Sequence, residues 1–292
     1  MNGLVLVDKP AGCTSHDVVN RWRKLANTRR VGHIGTLDPM ATGLLGLVTG
    51  TATRLAQFFG AEEKTYRGEI TLGCVSDTYD LDGDVKYTGI AAPPSEVVCA
   101  ALGQFKGRVW QMPPPVSAKK INGVPAYKLA RKNLPVELAP VEVEIKALTI
   151  DEIDGNRVGV TVVCSSGTYI RSIAHDLGQK LDCGALLSKL RRTRIGEFSE
   201  ANSYTLEALA DLAANGKLAT AVIPSGALLP QMPSEYVDSE VEMKIRQGRD
   251  FRTSPFVVRP GTPYVKALSR SGDLIAIGEL RIPNIYHPST VL

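Results

Sequence analysis

Apolar positions alternate in some segments of the chain and recur at helical spacing in others. Residues 3–7, GLVLV, are a continuous apolar run, which predicts a buried strand. Residues 64–72 alternate instead, so Tyr66 and Ile70 should share one face of a second strand. The other predicted strands span residues 44–48, 141–148, 158–164 and 185–194.

Helical spacing appears between these strands. Thr14 and Asp17 form a capping-box pattern immediately before a first helix, whose apolar face includes Val18 and Trp22. The other predicted helices span residues 52–59 and 169–182, and a segment marked by Leu206, Leu209, Leu212 and Ala213. Because strands and helices interleave, the pattern predicts a domain that contains both.

A domain boundary is predicted in the proline-containing stretch 223–233. Beyond it, the short apolar runs 264–268 and 274–280 are separated by a Ser-Gly-Asp turn, which is typical of a small β domain. A chain of 292 residues is long enough for one large domain and one small one. We therefore predict domains at 1–230 and 231–292.

Two segments between the predicted elements have unusual compositions. Residues 111–142 contain three consecutive prolines and a basic stretch without a continuous apolar face, which predicts an exposed, mobile insertion. Residues 76–84, SDTYDLDGD, superficially suggest a calcium loop, but Val85 and Ala91 stand where that loop needs Gly and Glu. A polar turn with one functional carboxylate is the better interpretation.

Composition narrows the class of protein. Hydrophobic residues make up 43% and charged residues 22% of the chain, which favours a soluble globular protein over a disordered one. No apolar run approaches the ~20 residues needed to span a bilayer, and the N-terminus lacks the basic region of a signal peptide. We expect a cytoplasmic protein without membrane association. The five scattered cysteines predict neither a disulfide framework nor a zinc site.

Basic residues cluster in two places although the net charge is only +4. Residues 21–30, RWRKLANTRR, carry five basic side chains and no acidic one, and residues 189–194, KLRRTR, carry four. Such clusters suit the phosphates of a nucleic acid. The alternative for either cluster is a solvated face that only keeps the protein soluble.

One carboxylate, Asp38, lies in the segment 32–43, GHIGTLDPMATG, which opens near His33 and is rich in glycine and threonine. Pro39 biases Asp38 towards extended conformations, while the glycines permit turns and the close approach of a ligand. The segment is therefore suited to present a reactive carboxylate. Taken alone, the segment is better explained as an ordinary Asp-Pro turn.

Four segments together resemble the bacterial tRNA pseudouridine-55 synthases of the TruB family. They are DKPAGCTSHDVV (8–19), GHIGTLDPMATG (32–43), KTYRGEITLG (64–73) and SSGTYIRSIAHDLG (165–178). The similarity runs from about residue 3 to about residue 198. IRQGRDF (245–251) and IGEL (277–280) resemble the small RNA-binding PUA domain that often follows. The resemblance implies an α+β fold, with a mixed, largely antiparallel sheet flanked by helices and a small C-terminal β-barrel.

The implied reaction is the isomerisation of uridine 55 in the T loop of tRNA, in which the N1–C1′ bond breaks and C5 bonds to C1′. This reaction needs a nucleophile and proton handling but no cofactor and no metal. We expect tRNA, through its T arm, to be the partner. Neither a guide RNA nor an obligate protein partner is expected, and nothing requires more than a monomer.

The resemblance assigns the catalytic residues. Asp38 matches the catalytic aspartate, and Arg171 matches the cation that keeps it ionised and oriented. Asp80 matches a carboxylate that holds Arg171 from its other side. Tyr66 matches the tyrosine that stacks on the flipped uracil, where stacking is worth ~1–3 kcal/mol per base. A surface salt bridge for Arg171 and a core position for Tyr66 are the alternatives.

Other residues are implied to bind the RNA, as is the insertion at about 111–142, whose residues 113–132 resemble the segment that closes over the RNA in this family. His33 corresponds to a histidine that fills the space left by the flipped base, Tyr169 packs beneath the site, and Leu190 lines the uracil pocket. The basic stretches 21–30, 119–132 and 189–194 are candidates for contacting the tRNA backbone. Their predicted contact residues are Lys119, Lys120 and Arg192. Lys9 and Pro10 match a motif that supports the catalytic loop by packing.

Two rival functions are consistent with the same motifs. A guide-dependent synthase of the eukaryotic and archaeal type carries related motifs, but the compact N-terminus and the absence of basic tails favour an enzyme that acts alone. A non-catalytic RNA-binding or tRNA-folding protein could dispense with Asp38. The joint presence of Asp38, Tyr66 and Arg171 argues against lost activity.

Overall fold

The computed structural model describes residues 1–117, 120–121, 124–125 and 138–292. The strands are β1 (Gly3–Lys9), β2 (Val31–Ile34), β3 (Thr42–Thr49), β4 (Lys64–Leu72), β5 (Cys74–Val75), β6 (Lys86–Tyr87), β7 (Gly107–Gln111), β8 (Lys120–Ile121), β9 (Val124–Pro125), β10 (Val141–Asp154), β11 (Arg157–Cys164), β12 (Ala185–Ile195), β13 (Phe198–Ser199), β14 (Ile223–Pro224), β15 (Ser234–Tyr236), β16 (Phe251–Arg252), β17 (Tyr264–Leu268), β18 (Leu274–Ile282) and β19 (Ile285–Val291). The α-helices are α1 (Ser15–Leu25), α2 (Ser95–Gly103), α3 (Ile170–Lys180), α4 (Leu206–Ala214) and α5 (Ser239–Arg246). The 3₁₀ helices are Gly50–Phe59, Glu200–Asn202, Leu218–Ala221 and Ser225–Ala227. Among these described helices, none combines the length and the apolar character needed to cross a bilayer.

Ten of the described strands form one large sheet in the order β14-β1-β3-β12-β4-β11-β10-β7, with β2 added to β3 and β13 added to β12. All of its pairings are antiparallel except the one between β3 and β12. The mixed, largely antiparallel sheet is thus confirmed. The short parallel contact between β3 and β12 brings the segment after Asp38 beside the strand that carries Leu190 and Arg192.

Local sequence signals account for most of these elements. The capping box is present, because the Thr14 side chain accepts a hydrogen bond from the Asp17 amide while the Asp17 carboxylate accepts one from the Thr14 amide. The predicted helix 52–59 is a 3₁₀ helix. Strand β2 was not predicted, since it has only four residues and no clear alternation. His33 therefore lies on a strand that leads into the Asp38 loop, and not in the loop itself.

The large sheet is buried on both faces. Alternate residues of β1 separate to opposite sides, with Val5 and Val7 packed in one hydrophobic cluster and Leu4 and Leu6 in another. The first cluster includes residues from helices α1 to α4, and the second includes the 3₁₀ helix Gly50–Phe59. A strand that is buried on both faces needs apolar residues at every position, which explains the continuous apolar run GLVLV in β1.

The small sheet has the strand order β15-β17-β18-β19-β16, and it is consistent with the predicted PUA-like β structure. It packs against the large sheet, because Leu268, Leu274 and Ile277 belong to the same hydrophobic cluster as Leu4 and Leu6. Hydrogen bonds join the two units as well, from Arg54 to the Val291 carbonyl and from Gln57 to Thr290.

The predicted exposed insertion 111–142 is shorter at both ends than expected. Gln111 ends β7 and Val141 begins β10, and these two strands pair with each other. Pro113 and Pro114 are buried, since the described residues after Gln111 pack near the start of α3, where Ser172 donates to the Met112 carbonyl. Residues 118–119, 122–123 and 126–137, which include Lys119, lie outside the described residues.

We expect Gly43→Ala to lower the free energy of unfolding by about 3 kcal/mol, because an L-residue at positive φ costs ~1–2 kcal/mol and a clash adds to it. Gly43 has a φ of +95°, and a Cβ there would lie 2.4 Å from the Arg192 carbonyl oxygen. Urea unfolding measures the change. Gly216→Ala is the control, since Gly216 has a φ of +67° with open space around it. If both variants lose the same free energy of unfolding, the β3–β12 contact shifts to accommodate the methyl group and the predicted clash does not occur.

Candidate active site

A cavity of about 490 Å³ opens where the Asp38 loop, β4, the start of α3 and β12 meet. Its lining residues are Gly35, Thr36, Leu37, Asp38, Gly60, Lys64, Tyr66, Val141, Ser166, Gly167, Thr168, Tyr169, Ile170, Arg171, Leu190 and Arg192. Five predicted site residues are thus collected around one space from four distant segments of the chain: Asp38, Tyr66, Tyr169, Arg171 and Leu190. The sixth predicted residue at this cavity is Arg192.

Hydrogen bonds to its backbone fix the Asp38 loop. The Lys9 ammonium is fully buried and donates to the carbonyls of Pro39 at 3.2 Å and Ala41 at 2.7 Å, as well as to that of Pro10 at 2.9 Å. On the other side of Asp38, the Ser15 hydroxyl lies 2.9 Å from the Leu37 amide and 3.0 Å from its carbonyl. The carboxylate is therefore held on a backbone anchored immediately before and after it.

Arg171 lies between two carboxylates. Its Nε is 3.0 Å from Asp38 Oδ2 and its Nη1 is 3.3 Å from Asp80 Oδ2. The guanidinium also donates to the carbonyls of Thr78 at 3.0 Å and Val116 at 3.1 Å. Side-chain exposure is 5% for Arg171 and 3% for Asp80 but 33% for Asp38, so only the Asp38 carboxylate remains accessible to a ligand.

The Arg171 Nε contact with Asp38 is close but poorly aligned. Within the described part of the chain, this buried N–H has no acceptor in good hydrogen-bond geometry. The attraction is therefore mainly electrostatic, and the charge of Arg171 holds the Asp38 carboxylate without a well-aligned hydrogen bond from Nε.

Asp80 is fixed from several directions. The Thr78 hydroxyl donates to its Oδ1 at 2.5 Å, and the Asp82 amide donates to the same atom at 3.0 Å. Burial raises the pKa of the Asp80 carboxyl, while the Thr78 hydrogen bond and the Arg171 charge oppose that shift. Asp80 acts on Arg171 and not on the cavity, since it is absent from the described lining.

Tyr66 presents its ring to the cavity from β4 and is 8% exposed. Burial raises the pKa of its hydroxyl, and the nearby Arg192 guanidinium partly opposes this. Tyr169 is fixed at the start of α3, where its carbonyl and amide form two hydrogen bonds with the Gln111 side chain at 2.9 and 2.7 Å. Both tyrosines are therefore neutral, preorganised aromatic surfaces beside Asp38.

His33 is half-buried on β2 and does not belong to the described lining of the cavity. Burial, followed by the charges of Arg192 and His16, lowers the pKa of its imidazole. Its Nδ1 is buried without a partner among the described residues. A neutral ring suits the predicted role in filling the space of a flipped base, and that role stays a prediction.

The structure places Arg192 at the cavity and not on the surface where the tRNA backbone was predicted to run, and its RNA-binding role stays a prediction. Its side chain is fully buried, and the guanidinium donates to the carbonyls of Leu44 at 2.8 Å, Gly35 at 2.9 Å and Thr36 at 3.4 Å. A group enclosed in this way cannot reach the RNA backbone on the protein surface. Of Lys120, the structure describes only the backbone, in β8, and Lys119 lies outside the described residues.

Sequence reasoning missed three contributors to this site. Thr78 holds Asp80 from two residues away in the same loop, and Gln111 holds Tyr169. The second pairing leaves no local signal in the sequence, because Gln111 and Tyr169 are 58 residues apart. Lys64 stands in the motif KTYRGEITLG and lines the cavity, but it had no assigned role. Tyr66, the third residue of that motif, was assigned a role because it matches the base-stacking tyrosine of the family.

Solved structures resemble the whole chain. A chain in the structure of an H/ACA RNP bound to a substrate RNA containing 2′-deoxyuridine superimposes with a TM-score of 0.72 at 24% identity, over 99% of this chain and 84% of that one. A chain in the crystal structure of a Cbf5-Nop10-Gar1 complex gives 0.71 at 26% identity, over 97% and 79%. With the sheet described above, these likenesses define the pseudouridine synthase fold.

Sequence comparison is more specific. Residues 23–170 match the model of the TruB family pseudouridylate synthase N-terminal domain, and residues 171–230 match that of the tRNA pseudouridylate synthase B C-terminal domain. A tRNA pseudouridine synthase B of Solibacter usitatus is 50% identical over 100% of both chains. One of Geotalea uraniireducens is 37% identical over 97% of this chain and 93% of its own. The chain belongs to the TruB family of pseudouridylate synthases.

Proposed function

We propose that this enzyme converts uridine 55 in the T loop of tRNA to pseudouridine. The observation that carries the proposal is the placement of Asp38, which stands partly exposed in the cavity lining while Arg171 holds it from behind. Relatives that match the full chain are named tRNA pseudouridine synthase B, which supports tRNA as the substrate. The cytoplasm is the location that fits this substrate.

In the proposed mechanism, the target uridine leaves the RNA stack and its base enters the cavity. Asp38, ionised beside Arg171, attacks C1′ or the base, or removes a ribose proton. The N1–C1′ bond breaks, the uracil turns, and C5 bonds to C1′. Loss of the C5 proton and gain of a proton at N1 complete an isomerisation without net oxidation. Tyr66 stacks on the flipped base and offsets part of the cost of extruding it.

The proposal includes the arrangement of domains and partners. Residues 1–230 form the catalytic domain and residues 231–292 a PUA-like RNA-binding domain, which is supported by the end of the matched family models at residue 230. The enzyme acts as a monomer on free tRNA, without guide RNA and without a cofactor. The rival is guide-dependent action, since the similar solved structures include an H/ACA RNP.

A single experiment tests substrate and guide together. Purified protein is incubated with a tRNA pool lacking any guide RNA, and pseudouridine is mapped by sequencing after chemical labelling. We expect new pseudouridine at position 55 of the T loop and nowhere else. Modification that requires an added guide RNA would favour the rival, and tRNA binding without any pseudouridine would favour a non-catalytic protein.

The exposed basic residues of 21–30 are the proposed contacts for tRNA phosphates. Arg29 and Arg30 are exposed and form no ion pair with the described residues. By contrast, the basic cluster 189–194 is largely neutralised, since Lys189 pairs with Glu69 and Arg191 pairs with Asp8 and Glu200.

We expect Arg29→Gln with Arg30→Gln to weaken tRNA binding and to flatten its salt dependence, because each lost phosphate contact reduces the slope of log affinity against log salt by about 0.7–0.9. Filter binding at several salt concentrations measures both. The matched control removes the same charge from Lys146 and Arg157, exposed residues that pair with Glu63 and Asp154. If both double variants bind with the wild-type slope, the 21–30 cluster does not contact phosphates.

A further inference from the structure

Two cationic side chains line the cavity but take no part in the Asp38–Arg171–Asp80 network. Lys64 is 7% exposed and Arg192 is 0% exposed, and both border the same space as Tyr66. They lie close to each other around Gly35, since a Cβ built there would be 3.1 Å from Arg192 Nη1 and 3.4 Å from Lys64 Cε. Together they form a cationic wall of the cavity.

This cationic wall has only neutral partners. Lys64 Nζ donates to the Glu62 carbonyl at 2.7 Å. The Arg192 guanidinium donates to three backbone carbonyls and interacts with the neutral Tyr66 hydroxyl. Neither side chain forms an ion pair with any carboxylate of the described residues. The carbonyls orient the two cations without cancelling their charge.

Burying such charges is unfavourable unless something compensates them. Burial lowers the pKa of the Lys64 ammonium, and the neighbouring Arg192 charge lowers it further. The free energy that folding loses here is recovered when an anion or an electron-rich atom enters the cavity, because electrostatic attraction is strong where water is excluded. The cationic wall is therefore preorganised for negative charge that arrives with the substrate.

The proposed reaction generates such a charge. When Asp38 acts at the ribose, the electron pair of the N1–C1′ bond stays with the uracil as that bond breaks. The resulting anion is delocalised over N1, O2, O4 and C5. Its C5 then donates the pair that forms the C5–C1′ bond, while the Asp38 oxygen that had bonded to C1′ leaves with its own electron pair. C5 finally loses a proton and N1 gains one. The detached base is thus anionic between two steps.

We propose that Lys64 and Arg192 stabilise the uracil anion formed when the N1–C1′ bond breaks, which makes both residues part of the catalytic machinery. The inference rests on the proposed function and specifies how the leaving group is stabilised. The alternative source of negative charge is a phosphate of the flipped nucleotide. Phosphate binding would contribute to tRNA affinity, whereas uracil stabilisation contributes to the rate of the chemical step.

The test uses Lys64, because Arg192 also holds the Asp38 loop. Single-turnover rates are measured with saturating full-length tRNA that carries either uridine or 5-fluorouridine at position 55, by following loss of the starting nucleoside after quenching and digestion. Fluorine makes the uracil anion a weaker base that needs less stabilisation. We expect Lys64→Met to slow the conversion of uridine about 100-fold, the size of effect seen when one preorganised donor is removed. The conversion of 5-fluorouridine should slow only about 10-fold. Lys64→Arg, which keeps the charge, should retain most of the rate.

Three results would overturn the inference: equal slowing with both nucleosides, a weaker tRNA affinity with an unchanged rate, or no recovery of rate in Lys64→Arg. Equal slowing would indicate a structural role, and a change confined to affinity would indicate a phosphate contact. Lys64→Gln carries the same test if Lys64→Met does not fold. Wild-type protein that leaves uridine 55 unchanged would instead refute the proposed function itself.

Discussion

Asp38→Asn should reduce the single-turnover rate of pseudouridine formation by about 10⁴-fold or more, the loss typical of removing a central catalytic group. Asparagine has nearly the same shape but cannot act as a nucleophile or a base. Because Arg171 keeps Asp80 and two carbonyls as partners, the substitution leaves the buried guanidinium compensated. Release of tritium from C5 of the target uridine measures the rate.

The affinity for tRNA separates chemistry from binding in this experiment. We expect Asp38→Asn to bind tRNA with nearly wild-type affinity, since the carboxylate contributes to the reaction and not to the phosphate contacts. Asp84→Asn is the matched control, because Asp84 is a 75% exposed carboxylate of the neighbouring acidic loop. Tritium release by Asp38→Asn within tenfold of wild type would remove Asp38 from the catalytic role.

Arg171→Lys should reduce the same rate by about 10³-fold, since a lysine keeps the charge but loses the planar fork. The guanidinium contacts Asp38, Asp80 and two backbone carbonyls at once, and a single ammonium cannot replace all of these contacts. We also expect the free energy of unfolding to fall by about 3 kcal/mol, because the buried Asp80 carboxylate loses part of the interaction with Arg171 that compensates its charge.

Separate measurements of kcat and KM distinguish a loss of Asp38 orientation from simple destabilisation of the fold. If Arg171 orients the carboxylate, Arg171→Lys lowers kcat while KM for tRNA changes little, and the loss persists well below the melting temperature. Arg157→Lys, an exposed pair with Asp154, is the control and should change neither parameter. A folded Arg171→Lys variant with wild-type kcat would contradict the role assigned to Arg171.

The ring of backbone contacts around Asp38 explains why we assign these large effects to single side chains. Lys9 and Ser15 hold the loop on both sides of the carboxylate, and Arg192 holds the carbonyls of Gly35 and Thr36. The loop is therefore positioned before the substrate arrives. Preorganisation of this kind allows a catalytic group to act without the cost of ordering it during the reaction.

Elements of the fold that depend on near neighbours were predicted well. The alternation of residues 64–72 and the apolar run of residues 3–7 both correspond to strands, and the Thr14–Asp17 capping box begins α1 as expected. The short strand β2 was missed, because four residues do not establish a period. The pairing of β3 with β12 was equally beyond prediction, since parallel contacts join segments far apart in the chain.

The sequence by itself determined the family, the strand and helix pattern and the segment that carries Asp38, since motifs, periodicity and capping are local properties. Only the tertiary structure decided which charges face solvent. Within one basic run, it buried Arg192 beside the cavity and left Arg194 exposed. It also placed Lys64 next to Arg192, giving the cavity a cationic wall. A sequence records that a side chain is charged, but the electrostatic effect of that charge depends on burial and on partners that folding brings together.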